Sequence, residues 1–310
     1  MNSEKSAITA VVAARQNMIS CNEKIDALLD KIGTLVNRLA PPQEQPVDFA
    51  GSLAFRWERN GEAGRLTAVT HPHLFDLGDL VGIDDIRDEV MRNTAQFVAS
   101  LPANNVLLWG ERGCGKSSLV KGLLKLFAPR GLRIVELKRW DIMSLPQIVG
   151  LLRDSPFRFI LFCDDLSFDE GEGDFRALKT LLDGDIEERP SNILIYATSN
   201  RRHLMPERLS ANSSDAEIHP EEAVGEKLAL SDRFGLSLGF YVFDQEEYLA
   251  IVRRYAASRR LPLSDGELCD RALKWARFTA RRSGRSARQF IDDLEGRLLL
   301  GNSSEAALDG

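Results

Sequence analysis

The amino-acid sequence predicts an α/β protein, with a mainly parallel five-stranded sheet followed by an all-helical domain and preceded by a helix and a β-hairpin. Three observations carry that expectation. From Asp79 to Phe240 short apolar runs alternate with amphipathic stretches, the pattern of parallel strands joined by crossover helices. After Asp244 only helical spacing remains. Between the apolar run Val106–Trp109 and the amphipathic segment Ser118–Phe127 stands a glycine-rich loop, Gly110 to Ser117.

The elements follow in chain order. Ile25, Leu28, Leu29, Ile32, Leu35, Val36 and Leu39 recur at spacings of three and four, and residues 5–40 read as a helix. Ala40-Pro41-Pro42 ends it, because proline lacks the N–H and clashes with the preceding turn. Residues 1–44 thus form an amphipathic arm that either packs on its own domain or serves oligomerisation or partner binding. Residues 41–47 (PPQEQPV) read as a linker. In segment 45–77, Leu53, Phe55 and Trp57 alternate with other residues, as do Leu66 and Ala68, around Asn60-Gly61. This is a hairpin, expected as an appendage. The α/β core spans 78–241, with strands at Asn105–Trp109, Leu132–Leu137, Phe157–Cys163, Asn192–Thr198 and Leu236–Phe240. Residues 208–226, rich in Ser, Asn, Asp and Glu, read as a surface loop. A helical lid spans 242–300, with helices at 244–258, 264–278 and 286–300 and N-caps at Ser264 and Ser286. Residues 301–310 are a polar tail.

Composition narrows the function classes. A chain of 310 residues, 44% hydrophobic and 28% charged, can bury a core without disulfide staples. Its net charge of −6 argues against bulk attraction to nucleic acid or acidic membranes, though not against a local basic patch. The four cysteines, Cys21, Cys114, Cys163 and Cys269, have no metal-ligand spacing and read as reduced thiols. The N-terminus has no basic lead-in to an apolar run, and no stretch approaches 18 apolar residues. The expectation is a cytoplasmic protein without a membrane span.

The glycine-rich loop Gly110-Glu111-Arg112-Gly113-Cys114-Gly115-Lys116-Ser117 matches GxxxxGK[ST] in full, between a buried strand and an amphipathic helix. Glycines let several backbone N–H groups turn into one concavity, and the helix N-terminus adds positive partial charge beneath phosphates. Lys116 brings a full charge to the β/γ-phosphates and the Ser117 hydroxyl can ligate Mg²⁺. The run Phe159–Cys163 ends in Asp164-Asp165. A buried strand that stops at a carboxylate delivers it to the carboxyl edge of the sheet, where ligands of open α/β sheets bind. Asp164 is therefore the candidate Mg²⁺ ligand beside Ser117. Asp169, Glu170, Glu172 and Asp174 downstream read as a solvated acidic loop from which one carboxylate could still reach an attacking water.

Further stretches resemble the AAA+ superfamily of P-loop ATPases over residues 78–300. Ile195-Tyr196-Ala197-Thr198-Ser199-Asn200 is similar to its sensor 1, which implies that Asn200 positions the water attacking the γ-phosphate. Ser231-Asp232-Arg233-Phe234-Gly235 resembles the arginine-finger box, which implies that Arg233 enters a neighbouring subunit's ATP site in a homo-oligomer. Gly284-Arg285-Ser286-Ala287-Arg288-Gln289 resembles sensor 2, with Arg288 the better match than Arg285. Asp79-Leu80-Val81-Gly82-Ile83-Asp84 is similar to the segment that packs on adenine, which brings Val81 and Gly82 to the base. CDDLSFDEGEGDFRALKTLL and IYATSNRRHLMPE resemble a bacterial AAA+ family of uncharacterised cellular role, a likeness that extends upstream to the hairpin. The resemblance implies ATP and Mg²⁺ as ligands and Asp165 as the base that activates water. Most AAA+ hydrolases carry glutamate there. Aspartate is one methylene shorter, which sets its carboxylate back by about 1.5 Å, and a displacement of ~1 Å can cost about 10²-fold in rate.

Between residues 251 and 290 eleven basic residues stand against three acids. This basic lid could bind nucleic-acid phosphate, pair with an acidic neighbour or serve ATP itself. Lys138-Arg139-Trp140 loosely resembles an aromatic pore loop, but reads as an ordinary sequence with a partly buried Trp. Three functions fit: an oligomeric ATPase that remodels or loads a macromolecular partner, an ATP-dependent switch or scaffold with little turnover, and a small-molecule P-loop kinase. The finger-like Arg233, the sensor-like Asn200 and the separate lid disfavour the kinase.

Overall fold

The computed structural model describes residues 47–60, 63–167, 190–200 and 231–306, together with positions 31, 178, 179 and 182. The expected helical arm (Lys31 apart), the downstream acids Asp169, Glu170, Glu172 and Asp174, and the 208–226 loop lie outside these residues. The chain divides into units 1–46 and 47–310, and the second carries the fold below.

The apolar runs form one sheet. Its strands are β1 (Ala54–Asn60), β2 (Ala63–Ala68), β3 (Val106–Gly110), β4 (Leu132–Leu137), β5 (Arg158–Cys163), β6 (Ile193–Ser199) and β7 (Leu236–Phe240), in the spatial order β2-β1-β4-β5-β6-β3-β7. The five strands expected from the sequence are all parallel to their neighbours and begin and end within one residue of expectation. The hairpin departs from its reading as an appendage. Strand β1 pairs in parallel with β4, Phe55 opposite Val135, so the hairpin extends the sheet to seven strands among the described residues. Phe55, Trp57 and Leu66 are buried in it. A Cβ at Gly64 would meet the Trp57 ring at 2.1 Å, so only glycine lets the indole lie across β2.

The sheet is apolar on both faces, as parallel strands covered by helices must be. In β5 Ile160 and Phe162 enter one core while Phe159, Leu161 and Cys163 enter the other, and β6 divides in the same way. Helices α1 (Asp84–Val98), α2 (Lys116–Phe127) and the lid cover the first face; α3 (Leu145–Leu152) covers the second. A buried polar knot fixes α1 on β6: Asn93 Nδ2 donates to the Tyr196 hydroxyl at 3.0 Å, and Thr94 Oγ1 lies 2.9 Å from it. Burial pushes the Tyr196 phenol up to about 12.

The lid consists of α4 (Gln245–Ser258), α5 (Asp265–Thr279) and α6 (Gly284–Ala306). Asp244 and Glu247 form a reciprocal capping box on α4, and Ser264 caps α5 as expected. The third cap is a correction. Helix α6 begins at Gly284, Ser283 Oγ accepts from the Ser286 N–H at 3.2 Å, and Ser286 is itself buried inside the helix. The helix also continues to Ala306, because GNSSEA contains no proline to stop it. Trp140 corrects a second reading: it is 60% exposed rather than partly buried, with Lys138 Nζ 5.3 Å from its ring. No helix among the described residues is long and apolar enough to cross a membrane.

Candidate nucleotide-binding site

The chain reverses its order across the sheet at β3, which lies between β6 and β7 although β4 is its next strand in sequence. Such a switch point opens a crevice at the carboxyl ends of the strands. Here it is a cleft of about 580 Å³, walled by the glycine-rich loop, the ends of β5 and β6, and the lid.

The loop is built from glycines in conformations closed to other residues. Gly110, Gly113 and Gly115 have φ of 119°, 80° and 100°. A Cβ at Gly110 would stand 2.0 Å from the Phe240 carbonyl oxygen, so β7 passes where a side chain would be. The Glu111 N–H donates to that oxygen at 3.0 Å, and the Arg285 N–H donates to the Gly113 carbonyl at 3.2 Å, tying the loop to sheet and lid. Cys114 is buried; its thiol donates to the Tyr241 carbonyl at 3.3 Å, and burial pushes its pKa up.

Lys116 opens α2 and is only 7% exposed. Its ammonium donates to the carbonyls of Gly110 and Glu111 at 2.7 Å each, and Asn200 Oδ1 lies at 3.4 Å. Desolvation holds its pKa below the usual lysine range. One residue on, Ser117 Oγ donates to Asp164 Oδ1 at 2.6 Å. That pair offers two hard oxygen donors at one point, the chemistry Mg²⁺ prefers when it keeps waters and phosphate oxygens as its other ligands. A site of that kind needs no protein cage, and none of three or more His, Cys, Asp or Glu occurs among the described residues.

Opposite stand Asp165 and Asn200. Asp165 has φ 54°, a left-handed conformation that aspartate tolerates better than most residues. Its carboxylate accepts a short hydrogen bond from Asn200 Nδ2. The residue beneath both carboxylates, Thr198, has no assigned role in the sequence reading. It is 1% exposed; its hydroxyl donates to Asp164 Oδ1 at 2.6 Å and accepts from the Asp165 N–H at 2.9 Å. Its position two residues before Asn200 is the one signal the sequence offers.

Val81, Arg112, Gly113, Cys114, Gly115, Lys116, Ser117, Asp164, Asp165, Asn200 and Arg288 all line the cleft. Gly110, Glu111 and Gly82 shape its backbone without lining it; Gly82 has φ 79° and packs under Phe243. Arg285 lines the cleft beside Arg288, so the sensor 2 segment contributes two guanidiniums. Phe75, Ile251 and Tyr255 also line it with no motif in the sequence to mark them, and so does Leu80 from the segment that resembles the adenine contact. Arg233 does not line the cleft. It precedes β7, where Leu236 pairs with Val106 at the start of β3, whereas the loop leaves the far end of β3. The two ends of that strand are roughly 13 Å apart at ~3.3 Å per residue.

Solved structures of Thermotoga maritima RuvB, a Holliday junction branch migration motor, and of a variant of it match 71% of this chain and 72% of theirs at 15% identity, with TM-scores of 0.42 and 0.43. The chaperone protein ClpB of Rickettsia felis is 31% identical over 105 residues, 28% of this chain. The chain spans 12% of that relative's length. The strand order, the glycine-rich loop and the helical lid described above make this an α/β P-loop fold with a mainly parallel sheet. Over residues 50–298 the sequence matches the model of the family described as "Protein of unknown function (DUF815)", and to that family the chain belongs.

Proposed function

We propose that the chain is a Mg²⁺-dependent ATPase that binds ATP in this cleft, hydrolyses it to ADP and phosphate, and works as an oligomer that remodels or loads a macromolecular partner. The observation that supports it most is the convergence of Lys116, the Ser117–Asp164 pair and the Asn200–Asp165 pair on one cleft floored by left-handed glycines.

In this reading the loop amides and Lys116 hold the triphosphate, exchanging the ammonium's carbonyl acceptors for phosphate oxygens. Val81 and Gly82 receive adenine. Ser117 and Asp164 hold Mg²⁺, which supplies neutralising charge to the phosphoryl group. Asp165 accepts a proton from water that Asn200 orients. Arg288 stabilises γ-phosphate charge from the lid. Arg233, remote from its own cleft, enters that of a neighbour, a contribution worth about 10³–10⁵ in rate.

The assembly is tested by steady-state ATP hydrolysis across a wide range of protein concentration, with Arg233→Ala in parallel. Specific activity that rises with concentration and collapses in the variant is expected. Activity independent of both would sink the trans finger, and unchanged Mg-ATP binding by Lys116→Ala would sink the site. A switch with little turnover is favoured by one observation: Asp165, already a methylene shorter than glutamate, is engaged by Asn200. Tight Mg-ATP binding with negligible hydrolysis at every concentration would select it.

A further inference from the structure

A second concavity, of about 390 Å³, lies between the segment leaving β7 and helix α5. Val242, Phe243, Leu273 and Ala276 give it an apolar lining, and Arg277, Arg281 and Arg282 bring three guanidiniums to it. All three arginines are exposed, and none forms an ion pair with a described residue. Elsewhere in the lid Arg253, Arg254, Arg259 and Arg271 are each paired with a carboxylate.

Backbone geometry gathers the three. Helix α5 ends at Ala280 with φ 52°, and the Arg281 N–H donates back to the Ala276 carbonyl at 3.2 Å. That left-handed closure folds Arg281 and Arg282 back toward Arg277. Beside the lining residues in sequence, Tyr241 and Phe278 are 72% and 89% exposed. A groove with an apolar floor, a rim of guanidiniums that have no ion pair among the described residues, and exposed rings nearby has the features of a recognition surface.

We propose that this groove binds a short acidic segment of a partner protein, with carboxylates on Arg277, Arg281 and Arg282 and one apolar side chain on the floor. Charge and size both favour this occupant. Three clustered guanidiniums suit a few adjacent carboxylates, the mode of arginine-cluster motif readers. A nucleic-acid strand needs a longer basic track, and here Arg253, Arg254, Arg259 and Arg271 are consumed by ion pairs while the whole chain carries −6. A cavity of 390 Å³ seats one or two side chains. An interface with a second copy would instead require about 800 Å² from each partner.

The test is fluorescence anisotropy of the full chain with a labelled hexapeptide of sequence EDLFDE, against labelled KKLFKK and labelled oligothymidylate. Saturable binding of the acidic peptide that weakens with salt is expected, with a loss of at least ~10-fold in the double variant Arg281→Glu/Arg282→Glu. Phe243 is kept, because it also lines the nucleotide cleft. Absence of binding, an acidic peptide held no better than the basic one, or equal binding by the variant would overturn the proposal. So would oligothymidylate binding more tightly and being lost on the same charge reversal. A protein whose sedimentation changes with the reversal while the peptide never binds would assign the groove to a second copy and overturn it too. Binding of a fluorescent ATP analogue, measured separately, shows that the variant is folded. Because the peptide titration contains no nucleotide, its failure is distinct from failure of the ATPase reading.

Discussion

Thr198 spends one buried hydroxyl on two neighbours, the carboxylate of Asp164 and the backbone of Asp165. Thr198→Val keeps the shape and removes both contacts, leaving a backbone N–H without its partner at a cost of about 1–3 kcal/mol. We expect kcat to fall at least ~10-fold with a raised Mg²⁺ requirement, while Mg²⁺-free nucleotide affinity stays constant and Thr198→Ser restores most of the rate. Steady-state kinetics at varied Mg²⁺ would show it; equal behaviour of the two variants would refute it. Lys116 carries a second prediction. Burial lowers its pKa in the free protein, and a bound triphosphate favours the charged ammonium, so nucleotide binding takes up protons on the alkaline side. Affinity should decline as pH rises through the depressed value toward the ordinary 10.5, and calorimetry in buffers of different ionisation heat should report the uptake. The phosphate loop and the Asp164-Asp165 step were legible in the sequence because their chemistry demands those residue types in one contiguous order. Thr198 was not, because its partners lie 34 and 33 residues away and meet it only after β5 pairs with β6.

Among the elements, the lid shows where local reading succeeds and where it slips. Asp244 and Ser264 each precede a run with helical spacing and cap the helix that follows. Ser283 and Ser286 are three residues apart, and either fits as a cap by type. Burial separates them, since Ser286 is 4% exposed on the face that packs on α5. The end of α5 is less orthodox. Ala280 occupies a left-handed position that favours glycine, at a cost of about 1 kcal/mol. Ala280→Gly should therefore raise stability by about that amount, or roughly 2–4 °C in Tm, provided the helix interior is untouched. Thermal unfolding followed by circular dichroism reads this directly; a lower Tm would mean that Ala280 packs favourably where it is.

For the whole molecule, the hairpin matters most. Alternation in residues 53–68 revealed two strands, but it holds no record of which sheet edge they join. The β1–β4 pairing spans about eighty residues, as in Phe55 opposite Val135. A chain lacking residues 47–70 would lose the burial of Phe55, Trp57 and Leu66, on the order of 5 kcal/mol at ~1.5–3 kcal/mol each, and would bare the edge of β4. We expect a much lower unfolding midpoint and aggregation at concentrations where the intact chain stays clear; an unaltered midpoint would show the hairpin to be dispensable. At the middle of the same sheet β6 is buried at every position, paired on both sides, and pinned by the Tyr196 knot to α1. Its amide protons should thus exchange with solvent only through near-global opening, among the slowest in the protein. Thr198 and Asn200 stand at the end of that strand, so the side chain proposed to orient water, and the hydroxyl beneath the two aspartates, would be anchored in the part of the molecule that breathes least.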